Sequence, residues 1–233
     1  MRANSRPVTS SQTTVYSALE KVVQKHLAHR FRKPIPDYQR EIFQQAIAQI
    51  PPQTPLILDS GCGVGESTRH LAQQFPHCFI LGVDQSLHRL SKSDPQGENY
   101  RLIRADLVDF WRLMAEASIP LTRHYLLYPN PYPKPVHFKR RWHGHPVFPT
   151  LLQLGGVLEL RSNWRIYVAE FAQAFQLATG TPGQWEMFTP SSPLTPFERK
   201  YYESGHQLWR FWGLISSSHP VKDYGGRIPE GSR

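Results

Sequence analysis

The 233-residue sequence predicts an α/β protein, a seven-stranded and mostly parallel sheet with an N-terminal helical extension. Three observations predict it. From Leu56 onward, short apolar runs alternate with segments of helical periodicity, the rhythm of a parallel sheet covered on both faces. The loop Asp59-Ser60-Gly61-Cys62-Gly63-Val64-Gly65 follows the first of those runs and opens a helix. Asp59, Asp84 and Asp106 then close three successive strands, at the sheet end where open α/β folds bind ligands.

The elements follow in order. Residues 1–14 are polar. Residues 15–30 place Val15, Leu19, Val22, Val23 and Leu27 at helical spacing, and a second helix over 38–49 lies between Pro34-Ile35-Pro36 and Pro51-Pro52. Strands are expected at 56–58, 78–83, 100–104, 124–128, 157–160, 185–189 and 207–215. Helices are expected at 66–75, 86–93, 107–117, 147–154 and 166–179. Trp164, Trp209, Phe211 and Trp212 read as core. The expected division is an N-terminal arm with helices at 1–52, a catalytic domain at 53–218 and a C-terminal tail at 219–233.

No apolar run approaches the roughly 20 residues of a membrane span, and the first twelve residues lack the apolar stretch of a secretory signal. Two cysteines make neither a disulfide framework nor a metal cluster. The expectation is a soluble, cytoplasmic protein without a metal; the sequence leaves oligomeric state open. Lys and Arg outnumber Asp and Glu by 27 to 18, for a net charge of +9. Such a surface favours polyanions, nucleic acid before anionic membrane, against the alternative of a generically basic surface. Positive charge gathers at residues 29–33 (HRFRK) and 134–145 (KPVHFKRRWHGH).

Glycine is needed where backbone passes close to a ligand or takes positive φ. The dinucleotide fingerprint is G-x-G-x-x-G, whereas this loop reads D-x-G-x-G-x-G. Its leading acid, Asp59, is placed to meet a cationic amino-acid group rather than a pyrophosphate. Asp84 can accept from both hydroxyls of a ribose, and Asp106 from an adenine amino group. Each acid alone has an alternative as a helix cap or turn residue. Together with Gly61, Gly63 and Gly65 they resemble the Rossmann-like class I methyltransferases, which implies S-adenosylmethionine as cofactor.

The fourth strand runs into Tyr128-Pro129-Asn130-Pro131-Tyr132-Pro133-Lys134-Pro135-Val136-His137-Phe138-Lys139-Arg140-Arg141. Here the chain resembles the bacterial tRNA (guanine-N7)-methyltransferases, whose loop reads F-P-D-P-W-x-K-x-R-H-x-K-R-R. Pro129, Pro131, Lys134, His137, Lys139, Arg140 and Arg141 match in register. That family's T-D-x-x-x-Y aligns with Ser162-Asn163 through Tyr167, and its T-x-F-E with Thr195-Pro196-Phe197-Glu198, followed by Gly205. The resemblance covers residues 56–215 and leaves the first 50 poorly matched. It implies cofactor and acceptor contacts at Asn130, with Lys134, His137, Arg140, Asn163 and Thr195–Glu198 on the acceptor side. Lys139, Arg140, Arg141, Arg30, Arg32 and Lys33 would meet RNA phosphate. Tyr132, Phe138 and Trp142 either stack on a splayed base or pack in the core.

The chain departs from the family at Asn130 and Asn163, where it has Asp, and at Tyr132 and Val136, where it has Trp and Arg. Guanine N7 carries an in-plane lone pair, so its methylation needs alignment and charge stabilisation but no general base. An amide serves the guanine N1–H and amino group less well than a carboxylate, since it offers one acceptor and one donor. The expected activity is methyl transfer to a purine nitrogen in tRNA. Asn130-Pro131-Tyr132 also resembles the N-P-P-Y loop of amino-group methyltransferases, one residue short. An amino-group or small-molecule acceptor, and a catalytically weak RNA-binding relative, are the alternatives.

Overall fold

The computed structural model describes residues 4–216. The expected C-terminal tail at 219–233 lies outside them.

Seven strands form one sheet in the order β3-β2-β1-β4-β5-β7-β6. They are β1 (Leu56–Ser60), β2 (Phe79–Asp84), β3 (Tyr100–Arg104), β4 (Arg123–Leu127), β5 (Gly156–Ser162), β6 (Gln184–Phe188) and β7 (Leu208–Ile215). The first five pair in parallel, and β7 runs antiparallel between β5 and β6. Alternation along the strands divides the core between the two faces. Leu56 and Leu58 of β1, and Phe79, Leu81 and Val83 of β2, enter the larger cluster. Ile57 and Ile80 pack on the opposite face with Leu71 and Ala72. Burial on both faces is why these strands read as continuous apolar runs.

The helices are α1 (Leu19–Ala28), α2 (Asp37–Ile47), α3 (Glu66–Gln74), α4 (Leu87–Leu90), α5 (Leu107–Glu116), α6 (Phe148–Gln153), α7 (Arg165–Thr179) and α8 (Pro196–Glu203). The extension joins the larger core: α1 inserts Leu19 and Val23, and Phe43 of α2 meets Phe110 of α5 edge to face at 5.4 Å. Phe211 of β7 lies against Phe171 and Phe175 of α7 at 5.3 and 5.1 Å, the aromatic centre of that core.

The differences from expectation have local causes. Helix α1 begins at Leu19 rather than residue 15; ahead of it a turn closes from Leu19 N to the Tyr16 carbonyl at 3.0 Å, and the Tyr16 N–H is anchored on Glu170 of α7 at 2.9 Å. Helix α4 is one turn, Leu87–Leu90, and Ser93 beyond it donates from Oγ to the Val64 carbonyl at 2.5 Å. Helix α8 was not expected, and two 3-10 helices, Pro135–Arg140 and Trp142–Gly144, occupy the loop after β4. Phe211 and Trp164 are buried as expected, while Trp209 and Trp212 are half-buried.

Ahead of α1, the arm is tied across the carboxyl end of the sheet. Ser5 N–H donates to Ser204 Oγ at 3.1 Å, and the Ser5 carbonyl accepts from His206 Nε2 at 2.9 Å. Ser10 Oγ donates to the Pro133 carbonyl at 2.5 Å, and Gln12 reaches Arg141 and Glu170.

Candidate active site

All three glycines of the loop between β1 and α3 have positive φ: 81° at Gly61, 61° at Gly63 and 73° at Gly65. At Gly65 a Cβ would stand 2.5 Å from Leu102 Cδ1, so this position serves close helix–sheet packing as well as the turn. At Gly63 nothing lies within 4 Å of where a Cβ would be, which leaves open space on the ligand side. The loop is pinned by the Val83 carbonyl, which accepts from Gly61 N at 2.7 Å, and by Asp84 Oδ2, which accepts from Gly63 N at 3.0 Å.

The three acids have different local roles. Asp59 is buried under the loop; its Oδ2 accepts from Ser67 Oγ at 2.6 Å and Thr68 Oγ1 at 2.7 Å, while Oδ1 is buried without a partner. Burial pushes its pKa up to about 6, against the lowering effect of those two hydroxyls. Asp84 Oδ1 accepts from Ser86 N at 2.8 Å and from Arg89 Nη2 at 3.0 Å. Asp106 Oδ1 caps α5, accepting from Val108 N at 2.9 Å and Asp109 N at 3.2 Å. The cap reading therefore holds for Asp106, yet the same residue also lines the cavity.

That cavity has a volume of about 320 Å³ and opens at the carboxyl ends of the strands. Gly61, Asp84 and Asp106 line one side; Tyr128, Asn130 and Tyr132, with Arg140, line the other. Behind it, Trp111 Nε1 donates to Ser60 Oγ at 2.9 Å, and Ser60 Oγ shares a 2.8 Å hydrogen bond with His124 Nε2. Burial drives the His124 pKa down to about 3, so this imidazole is neutral. Trp142, expected either to stack on a base or to pack in the core, and Tyr167, which ends a family-matched motif, both line the cavity; Ser60 and Arg89 also line it and were given no role from the sequence. Position does offer a signal for Ser60, the last residue of β1.

On the acceptor side, Tyr128 and Tyr132 hold φ of 54° and 43°, a left-handed conformation costing roughly 1–2 kcal/mol each outside glycine. Asn130 Oδ1 accepts from Tyr132 N at 3.3 Å, closing a turn between them. Arg140 lies over the Tyr132 ring at 5.8 Å. Lys134 is exposed just before the first 3-10 helix, and His137 on that helix meets Tyr132 edge-on at 6.3 Å. One expectation for this stretch is corrected. Arg141 is fully buried and ion-paired with Glu170 at 2.5 Å, so it meets no phosphate. For Phe138 the core-packing alternative holds and the base-stacking one does not: it is buried and stacks on Tyr16 at 4.4 Å.

The remaining family positions gather beside the cavity rather than in its wall. Asn163 Nδ2 donates to His206 Nδ1 at 3.1 Å, a role fixed because His206 Nε2 donates to the Ser5 carbonyl. Thr195 Oγ1 caps α8 by accepting from Glu198 N at 2.9 Å, with Pro196 next and Phe197 half exposed. Glu198 is buried, its two carboxylate oxygens taken by Arg161 Nη1 at 2.9 and 3.1 Å. Tyr201 bridges the groups: it stacks on His206 at 5.3 Å and lies 5.6 Å from Tyr128. Among the described residues, no His, Cys, Asp and Glu cluster has the makings of a metal site, and no helix is long and apolar enough to cross a membrane.

A family model described as "Putative methyltransferase" matches residues 53–211, more than half of the chain. A tRNA (guanine-N(7)-)-methyltransferase of Pseudomonas aeruginosa is 32% identical over 174 residues, 67% of this chain and 69% of that protein. Its counterparts in Bordetella pertussis and Pseudoalteromonas translucida are 30% and 29% identical, across 66% and 69% of their lengths. The chain thus spans about two thirds of the length of these relatives. Among solved structures, the 16S rRNA methyltransferase KamB superposes with a TM-score of 0.53 at 17% identity, covering 81% of this chain and 98% of that one, a likeness of fold. With the glycine loop and three acids at the carboxyl end of a seven-stranded sheet, these matches place the chain in the tRNA (guanine-N7)-methyltransferase family of S-adenosylmethionine-dependent enzymes.

Proposed function

We propose that this chain methylates N7 of a guanine in tRNA in the cytoplasm, with donor and acceptor meeting in the cavity between the glycine loop and residues 128–132. The observation that carries the reading is that one cavity has Gly61, Asp84 and Asp106 on one wall and Asn130, Tyr132 and Arg140 on the other, with Asp59 buried beneath the glycine loop. S-adenosylmethionine, when bound, supplies a methyl group activated by a sulfonium centre. The residues present fit it. Gly61 and Gly63 give backbone access, and the unpartnered Asp59 Oδ1 leaves an acceptor for an ammonium group. Asp84 keeps acceptor capacity for a ribose, since its two oxygens hold three donors and a carboxylate takes about four.

The acceptor wall fits a nucleophile that brings its own lone pair. Among its lining residues the only carboxylates are Asp84 and Asp106, both on the donor side, and guanine N7 has no proton to remove. Tyr132, half-buried under Arg140, offers a ring for a splayed base. Phosphate contacts fall to Lys139 and Arg140 and, across the N-terminal extension, to the exposed Arg30, Arg32 and Lys33.

The test is transfer of a labelled methyl group to unmodified tRNA, followed by nucleoside analysis. The reading expects 7-methylguanosine. Label in an exocyclic amine or a small metabolite, with none at N7, overturns it.

A further inference from the structure

The chain buries a complete guanidinium beside its acceptor loop. Arg141 is fully buried between the Trp164 ring at 4.7 Å and the Phe138 ring at 5.5 Å. Its Nη1 donates to Glu170 Oε2 at 2.5 Å, and its Nη2 to Gln12 Oε1 at 3.0 Å. The rest of the fork is spent on one atom: Nε and Nη2 donate to the Tyr132 carbonyl at 3.2 and 3.1 Å. Glu170 is saturated in turn. Its Oε1 accepts from Gln12 Nε2 at 2.6 Å and Tyr16 N at 2.9 Å, and its Oε2 also accepts from His143 Nε2 at 2.9 Å.

A buried ion pair is a poor stability device, because well-packed hydrocarbon of the same volume serves as well or better. What hydrocarbon cannot do is aim two N–H groups at a carbonyl. That carbonyl belongs to Tyr132, whose φ of 43° is unfavourable for a side-chain-bearing residue and whose N–H is held by Asn130 Oδ1. The peptide units on both sides of Tyr132 are therefore fixed. The next carbonyl, Pro133, is held from the arm by Ser10 Oγ. Residues 130–132 line the cavity only through Asn130 and Tyr132, the two residues these bonds orient.

We propose that Arg141, charged against Glu170 and steadied by Gln12 of the arm, is a positioning residue that sets the Asn130–Tyr132 wall for methyl transfer, with Ser10 of the arm holding the adjoining Pro133 carbonyl. It touches neither cofactor nor acceptor. The site it serves is the one proposed above, so the claim rests on that reading for its kinetic consequence, while its structural consequence stands apart. The arm residues lie outside the 53–211 segment shared with the family. The wall is therefore completed by a part of this chain that the family match does not cover.

The experiment compares the Ser10→Ala/Gln12→Ala double variant with wild type, Ser10→Thr serving as the conservative control. In the double variant kcat falls about tenfold, because sub-ångström misplacement of a reacting geometry is felt in the rate. The KM for tRNA and the affinity for S-adenosylhomocysteine stay within about twofold, since neither the phosphate contacts nor the glycine loop is touched. Within residues 128–134 only Tyr128, Asn130, Tyr132 and Lys134 carry an amide hydrogen; exchange at Tyr132, whose N–H is bonded to Asn130, quickens about tenfold, and that of residues 61–65 does not change. Ser10→Thr retains wild-type kcat. Arg141→Lys, which keeps the charge and loses the fork, lowers kcat further at unchanged cofactor affinity. If wild type leaves tRNA unmethylated, the proposed acceptor fails, and the exchange measurement alone decides the positioning claim. Unchanged exchange at Tyr132, or a lower melting temperature with wild-type kcat, overturns it.

Discussion

The cofactor-binding role proposed for Asp59 sets opposite demands on folding and on ligand affinity, and pH separates them. Its carboxyl titrates at 3.8 when exposed and at about 6 in the folded chain, because burial disfavours the ion. That difference of about 2.2 units corresponds to ~3 kcal/mol. The sign follows from proton uptake: the folded chain holds this proton more tightly than the unfolded one. The stabilisation is complete below about pH 3.8 and is lost as pH rises through about 6. A ligand ammonium on the unpartnered Oδ1 needs the ionised form, so its affinity moves the other way. With a pKa near 6, about one tenth of the sites are ionised at pH 5, and S-adenosylhomocysteine binds about tenfold more weakly there than at pH 7.5. Calorimetric titration across pH 5 to 7.5 measures this, beside thermal melting of the unliganded protein. Asp59→Asn removes the charge and should flatten both profiles. It should melt higher than wild type at pH 7.5 and bind the cofactor product more weakly there. Wild-type affinity that is flat with pH, or an Asp59→Asn variant that binds as tightly as wild type at pH 7.5, refutes the role assigned to this carboxylate.

Other consequences follow from particular residues. Gly65→Ala puts a Cβ against Leu102 at a φ of 73°, and overpacking with left-handed strain should cost about 2–4 kcal/mol in denaturant unfolding. Asn130→Asp should raise guanine-N7 turnover about tenfold by stabilising the purine cation, read as kcat at saturating tRNA; an unchanged or lower kcat counts against Asn130 facing the base. Replacing Arg30, Arg32 and Lys33 with Glu should weaken tRNA binding and lower the slope of log affinity against log salt by about 0.9 for each phosphate that is no longer neutralised. An unaltered salt slope places the RNA elsewhere.

Much of the donor half was legible in sequence because its signals are local. The glycine loop lies within seven consecutive residues, and the strand ends follow from apolar runs that are buried on both faces. Helix α8, which was not expected, did carry a local signal: Thr195-Pro196-Phe197-Glu198 has the S/T-x-x-E spacing of a capping box, with proline at the first helical position. Its Glu198 does not close that box, because Arg161, distant in sequence, takes the carboxylate. The acceptor half depends on such distant pairs. Arg141 stands in a Lys-Arg-Arg run that reads as exposed charge, and only Glu170, on the helix after β5, accounts for its burial. Glu170 did leave a trace. It sits three residues after Tyr167 and four before Ala174, on the buried stripe of α7, where an acid needs a partner. The start of α1 left none, since Tyr16 gives up its N–H to a residue 154 positions away.

The ties of the arm also bear on how the chain is made. Ser5, Ser10 and Gln12 leave the ribosome well before their partners, which are Ser204 and His206, Pro133, and Arg141 with Glu170. At about 5–20 residues per second, Ser5 waits roughly 10–40 s for the far end of its hydrogen bonds to be synthesised. The sheet, whose first four strands are complete by Leu127, can organise in that interval. Arm docking is then a late event that joins distant parts of the sequence, and nascent chains stalled before residue 141 should be cleaved within residues 5–12 faster than the finished protein, in which Ser5, Ser10 and Gln12 are tied down.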